Sequence, residues 1–389
     1  MNRTQSLIYL IIIVILATVS ARSVNNMIST TVPLVSKYQL LFTNSEVGAL
    51  SALGFVATFI STSVINPFLS STRRKKFFIT ASGISIPLLI AFYLSNSITI
   101  WINAIIFGII YGIILPNLIT IASMAGDRRS SERMLNIYSM SLSLSLVIGP
   151  VIETFLLTRF TYKDIFLLFV PLALPLFLVS WKFNFPESIK SDNKSSAFKS
   201  VIKNEGLISA ILAITTYNVP FGIITTFFAI YAKKVFNVPR AEAYSIFIPF
   251  YLVSFSTRLL MSIRPFDFLK KPLAFSILLT AIGLSIVALA PSFEIMIIGM
   301  LILGVPHGSV FPMTTVMISR ATTPAERSAA NSYFIAYNNI LFTVLPPIYG
   351  VLVSLLFFRI PILMLLIPMV IASFLLYKKY WNSKVMRPY

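Results

Sequence analysis

GIIYGIILP at 108–116 returns as GVPHGSVFP at 304–312, with glycines four apart and a proline four residues further on. The echo extends outward in both directions. ISTTVPLV at 28–35 answers IITTFFAI at 223–230, ERMLNIY at 132–138 answers ERSAANSY at 326–333, and Pro150 answers Pro346. Matches in one order at an offset of roughly 195 residues describe two related halves in one chain.

Both copies lie in apolar sequence. Hydrophobic residues make up 57% of the 389 and charged residues 11%, and mean hydropathy is +0.87. Apolar runs long enough to cross a bilayer recur along the chain. Twelve spans are expected, at 7–35, 46–70, 77–95, 98–124, 134–158 and 164–183, then 206–232, 242–262, 272–290, 293–319, 328–357 and 360–377. Their apolarity is continuous and not alternating, which points to helices and away from a β-barrel. The first run is read as a span and not a signal peptide, because no small-residue cleavage site precedes a polar domain.

A formal charge of +19 would suggest nucleic acid in a soluble protein. In a membrane chain the positive-inside rule explains it, and no nucleic-acid partner is expected. Arg73, Arg74, Lys75, Lys76, Arg128, Arg129, Arg133, the lysines of 182–203, Arg264, Lys270, Lys271, Arg320, Arg327 and the basic tail share one side. Lys37, Arg159, Lys163, Lys233, Lys234, Arg240 and Arg359 fall on the other, an imbalance of about threefold. Both termini are therefore expected in the cytoplasm, in a multi-pass protein of the plasma membrane, and that parity requires an even number of spans. The Ser-rich basic stretch 185–205 reads as a cytoplasmic linker between a bundle at 1–184 and a second at 206–389.

Over its whole length the chain resembles the major facilitator superfamily of twelve-helix secondary transporters. NPFLSSTRRKK at 66–76 is similar to the family's Gly-x-x-x-Asp-Arg-x-Gly-Arg-Arg-Lys loop, with Asn66, Ser70 and Arg73 in place of glycine, aspartate and glycine. GPVIET at 149–154 resembles the Gly-Pro-x-x-Gly-Gly of span five, with Glu153 and Thr154 replacing the two glycines. The resemblance implies an all-α fold of two pseudo-symmetric six-helix bundles. It further implies alternating access to a site lined by spans 1, 4, 7 and 10. It places Arg73, Arg74 and Lys75 at the cytoplasmic gate.

Few polar side chains lie at membrane depth. Arg22 is about 15 residues from either end of span one, roughly 22 Å along a helix. A charge there is costly unless it faces protein or a polar cavity. It reads as a clamp for a substrate anion or the partner of a coupling carboxylate, against a structural arginine bonded to backbone carbonyls. Asn25 and Asn26 follow within a turn, and Asn26 shares its face. They bind substrate or hold helices together.

Glu153 is the carboxylate deepest in any span and the candidate proton carrier, or else half of a structural ion pair. His307, aligned in the repeat with Tyr111, is a second proton or substrate ligand, or a neutral packed imidazole. Arg258 on span eight anchors an anion or braces the loop bearing Asp267. Tyr111, Tyr217, Asn218, Asn338 and Asn339 complete the candidate substrate set. The glycines of the repeat read as helix contacts.

No GxxxxGK[ST] loop, cysteine or cluster of metal-binding residues occurs in the sequence, so no cofactor and no enzymatic centre are expected. Two intramembrane arginines against one carboxylate favour an organic anion. The expected function is secondary transport of such a small solute, with protons as a candidate coupling ion and the lipid bilayer as the partner of a monomer. The alternatives are proton-driven efflux of lipophilic compounds and a membrane sensor that does not transport.

Overall fold

A computed structural model of the chain describes residues 3–66, 69–122, 128–185, 201–264, 266, 268–322 and 324–387. Twelve helices among them are long and apolar enough to cross a membrane. They are α1 (Ile8–Tyr38), α2 (Asn44–Ile65), α3 (Ser71–Tyr93), α4 (Thr99–Ala122), α5 (Ile137–Leu157), α6 (Tyr162–Ser180), α7 (Glu205–Phe236), α8 (Arg240–Ile263), α9 (Lys270–Leu289), α10 (Phe293–Ala321), α11 (Ala330–Leu356) and α12 (Arg359–Tyr380). The fold is that of an all-α integral membrane protein. Helices satisfy their own backbone groups where water cannot. Large apolar side chains such as Phe155, Leu178, Phe275 and Phe374 point outward, while Thr31, Asn117, Thr216 and Thr280 are buried.

The chain divides into two compact units, Met1–Phe42 with Ala49–Ile189, and Thr43–Gly48 with Lys190–Tyr389. Their internal packing follows one plan. In the first, α1 packs on α5 and α6, α4 on α2 and α3, and α3 on α6. In the second, α7 packs on α11 and α12, α10 on α8 and α9, and α9 on α12. Most of the expected linker, residues 186–200, lies outside the described residues, as do Pro67, Phe68 and Asp267.

The repeated glycines mark equivalent contacts. A Cβ on Gly108 would sit 2.3 Å from the carbonyl oxygen of Gly54, and one on Gly304 would sit 2.5 Å from that of Phe250. Only glycine lets α4 and α10 approach α2 and α8 this closely. Breaks repeat as well. Phe169 interrupts α6 between Tyr162–Leu168 and Val170–Ser180, and Leu365 interrupts α12 between Arg359–Met364 and Leu366–Tyr380. Pro171 and Pro368, just past each break, offer no N–H to the preceding turn. The helix α7 also carries a π-helical turn, Ile224–Phe228.

Each unit folds the segment after its last helix back over its base. Phe183 and Phe185 are buried and meet Phe78 edge-on at 5.9 and 5.5 Å. There Ser71 Oγ donates to Phe185 O at 2.5 Å and Lys75 Nζ to Asn184 Oδ1 at 2.9 Å. In the second unit Val385 and Met386 are buried. Leu269 N donates to Met386 O (3.2 Å), Lys270 Nζ to Asn382 Oδ1 (2.8 Å), and Arg320 Nη1 to Val385 O (3.2 Å) and Arg387 O (3.0 Å).

Candidate functional site

In the first unit the helices α1 and α5 hold the ionisable candidates. Arg22 is half-buried and donates from Nη2 to Tyr138 Oη at 2.7 Å. Its Nε is enclosed without an acceptor, and the side chain meets no carboxylate among the described residues. Arg22 and Glu153 thus have different hydrogen-bond partners. Glu153 is fully buried and accepts a short hydrogen bond from the hydroxyl of Thr31. Thr31 is nine residues past Arg22, about 13 Å further along the helix.

Asn26 is 7% exposed, and Asn25, half-buried, accepts through its backbone carbonyl from Ser29 Oγ at 2.9 Å. Ser23 Oγ donates to Ser145 O at 3.4 Å, tying the same two helices. Tyr111 on α4 is buried with its ring 5.0 Å from Phe107, and its hydroxyl is enclosed without a partner.

In the second unit His307 lies in an aromatic shell. Its ring centroid is 4.5 Å from that of Phe221, 4.9 Å from Phe250, 5.5 Å from Tyr217 and 5.6 Å from Tyr251. Nδ1 and Ser254 Oγ share a hydrogen bond of 2.6 Å, which fixes the ring's rotation. Arg258 donates from Nη2 to the carbonyl of His307 at 3.3 Å. The bracing role toward the loop of Asp267 falls outside the described residues, and the contact observed is with α10. Tyr217 Oη is enclosed beside this cluster. On α7 and α11, Asn218 Nδ2 donates to Asn338 Oδ1 at 2.8 Å, whereas Asn339 is half-buried and stands apart from that bond.

The basic loop is held within the first unit. Arg74 Nη2 donates to the carbonyls of Asn66 (3.3 Å) and Leu69 (3.4 Å), and Asn117 Nδ2 donates to Asn66 Oδ1 (2.8 Å). Lys75 joins the strap at Asn184, and Arg73 is exposed.

Sequence reasoning did not single out Tyr138, Thr31, Ser254 or, Tyr217 apart, the aromatic shell. Tyr138 and Thr31 had a signal, since they lie in the repeated ERMLNIY and ISTTVPLV. The others are ordinary apolar-helix residues whose roles depend on which neighbour they face.

A family model described as Major Facilitator Superfamily matches residues 14–264 and 267–387. No curated protein is a significant sequence match. Among solved structures, a bacterial homologue of the human lysosomal transporter Spinster is 14% identical, with TM-score 0.74 over 99% of this chain and 98% of its own. A D-xylose–proton symporter is 14% identical with TM-score 0.76, covering 97% and 98%, and a peptide transporter of the POT type is 12% identical with TM-score 0.77, covering 97% and 95%. At such identities these likenesses establish the fold.

Proposed function

This chain belongs to the major facilitator superfamily of membrane transporters, and we propose that it carries a small organic anion by alternating access. The observation that carries this reading is Arg22: a guanidinium within a membrane helix, anchored through one nitrogen to Tyr138, with no carboxylate among the described residues to neutralise it. An intramembrane charge without an ion pair is retained where it does work on a ligand. The planar fork of arginine suits a carboxylate or phosphate.

Glu153 is the proposed proton carrier, with His307 as a second group, and the fold similarity to a proton symporter supports coupling of this kind. Asn25, Asn26, Tyr111, Tyr217, Asn218, Arg258, Asn338 and Asn339 form the proposed substrate set. Arg73, Arg74 and Lys75 belong to the gate. The protein is proposed to work as a monomer in the plasma membrane, with bundles 1–184 and 206–389 joined by a cytoplasmic linker at 185–205. The charge asymmetry supports cytoplasmic termini.

The shell of Phe221, Phe250, Tyr217 and Tyr251 around His307 favours a second reading, export of lipophilic compounds. A thermal-shift titration of the purified protein, wild type against Arg22→Ala, separates the two. Stabilisation by benzoate and succinate that disappears in the variant supports the anion. Stabilisation by tetraphenylphosphonium alone overturns it in favour of export.

A further inference from the structure

We propose that Asn218 and Asn338 act as one neutral recognition subsite, reading an uncharged edge of the cargo that carries a hydrogen-bond donor beside an acceptor. The inference rests on the transport reading above and adds an uncharged group to the chemistry of its cargo. An amide or lactam edge and a pair of vicinal hydroxyls both have this character.

The helices α7 and α11 are tied twice within the second unit. Thr215 gives its only hydroxyl proton to Ile211 O at 2.6 Å, so in its 2.6 Å contact with Tyr337 it accepts and the tyrosine donates. That tie is complete. Three residues further along α7 the second tie, Asn218 Nδ2 to Asn338 Oδ1, is not.

Each asparagine amide has a carbonyl and two N–H groups, so a single bond between two amides leaves one carbonyl and one amino group over. Here these are Asn218 Oδ1 and Asn338 Nδ2, which meet no other partner among the described residues. Exchanging O and N in both amides would reverse the bond and still leave one carbonyl and one amino group. Both residues are 7% exposed, and unlike the hydroxyl of neighbouring Tyr217 these atoms are not sealed by protein.

Amides so deeply buried and half-satisfied are costly, and lipid tails cannot complete them. A carboxylate, which only accepts, would satisfy Asn338 and oppose Asn218. A donor–acceptor edge satisfies both. The alternative role, interhelical glue, needs only the bond already made.

The test is the affinity of the full-length protein in detergent for orotate (imide edge plus carboxylate), gluconate (hydroxyls plus carboxylate) and benzoate (carboxylate alone). Uracil and D-glucose supply the edges without the charge. Wild type is expected to bind orotate or gluconate at least ~10-fold more tightly than benzoate, and whichever is preferred tells an amide edge from a hydroxyl edge. Asn218→Leu with Asn338→Leu removes both polar partners at similar volume and should preserve folding. It is expected to reduce orotate and gluconate to the affinity of benzoate while benzoate is unchanged. If that double variant is recovered poorly, Asn338→Leu alone is read the same way.

A preference that survives the substitutions, or no preference in wild type, overturns the subsite. Benzoate bound through Arg22 with no gain from an edge leaves the anion reading standing without the subsite. Asparagine-dependent binding of uracil or D-glucose with no gain from a carboxylate does the reverse. No binding by any of these solutes overturns the subsite too.

Discussion

The two units follow one packing plan yet treat polarity inside the membrane differently. The first keeps ionisable groups against hydroxyls: Arg22 with Tyr138 and Glu153 with Thr31. The second relies more on uncharged amide and hydroxyl pairs, Asn218 with Asn338 and Thr215 with Tyr337, and wraps His307, bonded to Ser254, in aromatic rings. At the repeat position where the first unit has Tyr111, the second has His307. The two units share their contacts between helices and differ in their polar residues. Architecture is the shared half of the design, and chemistry is the half that differs.

The sharpest way to break this contrast is Arg22→Ala. If the first unit supplies the charge, loss of a desolvated charged contact of ~2–5 kcal/mol removes carboxylate-dependent stabilisation in thermal-shift titrations. Arg258→Ala in the second unit should then cost much less, and equal losses would erase the distinction. Next comes Glu153→Gln in proteoliposomes. Uphill accumulation driven by a proton gradient should vanish while downhill exchange persists, and retained uphill accumulation would move coupling elsewhere.

The shared architecture makes a prediction of the opposite kind. Gly108→Ala and Gly304→Ala should destabilise comparably, by ~1–3 kcal/mol for an overpacked helix contact, because each Cβ would collide with a backbone carbonyl. The measurement is the thermal midpoint in detergent, and strongly unequal losses would count against equivalent packing. The smallest effect is expected for Ser254→Ala, about 1 kcal/mol for one hydrogen bond. A chemical shift of the His307 ring carbon by NMR would report whether the imidazole is freed.

Most of the architecture was legible in the sequence because membranes impose it. A helix must be apolar for the full thickness of the hydrocarbon, so composition alone located the spans, and α4 and α10 begin and end within a few residues of expectation. The glycine repeat was legible for a similar reason, since close backbone contact admits no substitute for glycine. The site was only partly so. Arg22 and Glu153 stood out because their presence there is costly, but nothing in the sequence said that they would not meet. Their partners, Tyr138 and Thr31, are unremarkable in composition, and which residue a hydroxyl faces depends on helix rotation. Span apolarity leaves that rotation undetermined. Of the shell around His307 only Tyr217 stood out, because aromatic residues occur throughout the spans and only packing selects Phe221, Phe250 and Tyr251.

The straps that fold Phe183 and Phe185 onto Phe78, and Val385 and Met386 beneath α9 and α10, bear on timing. A protein is made from one end, and domains fold as units while synthesis proceeds. With its clasp complete at residue 185, the first unit has these strap contacts before the second begins to emerge. The second must wait for Val385 and Met386 to be made, so its base stays open longer during biogenesis. A nascent chain arrested between the halves would carry the first strap already closed, and a chain cut before Val385 would lack the second.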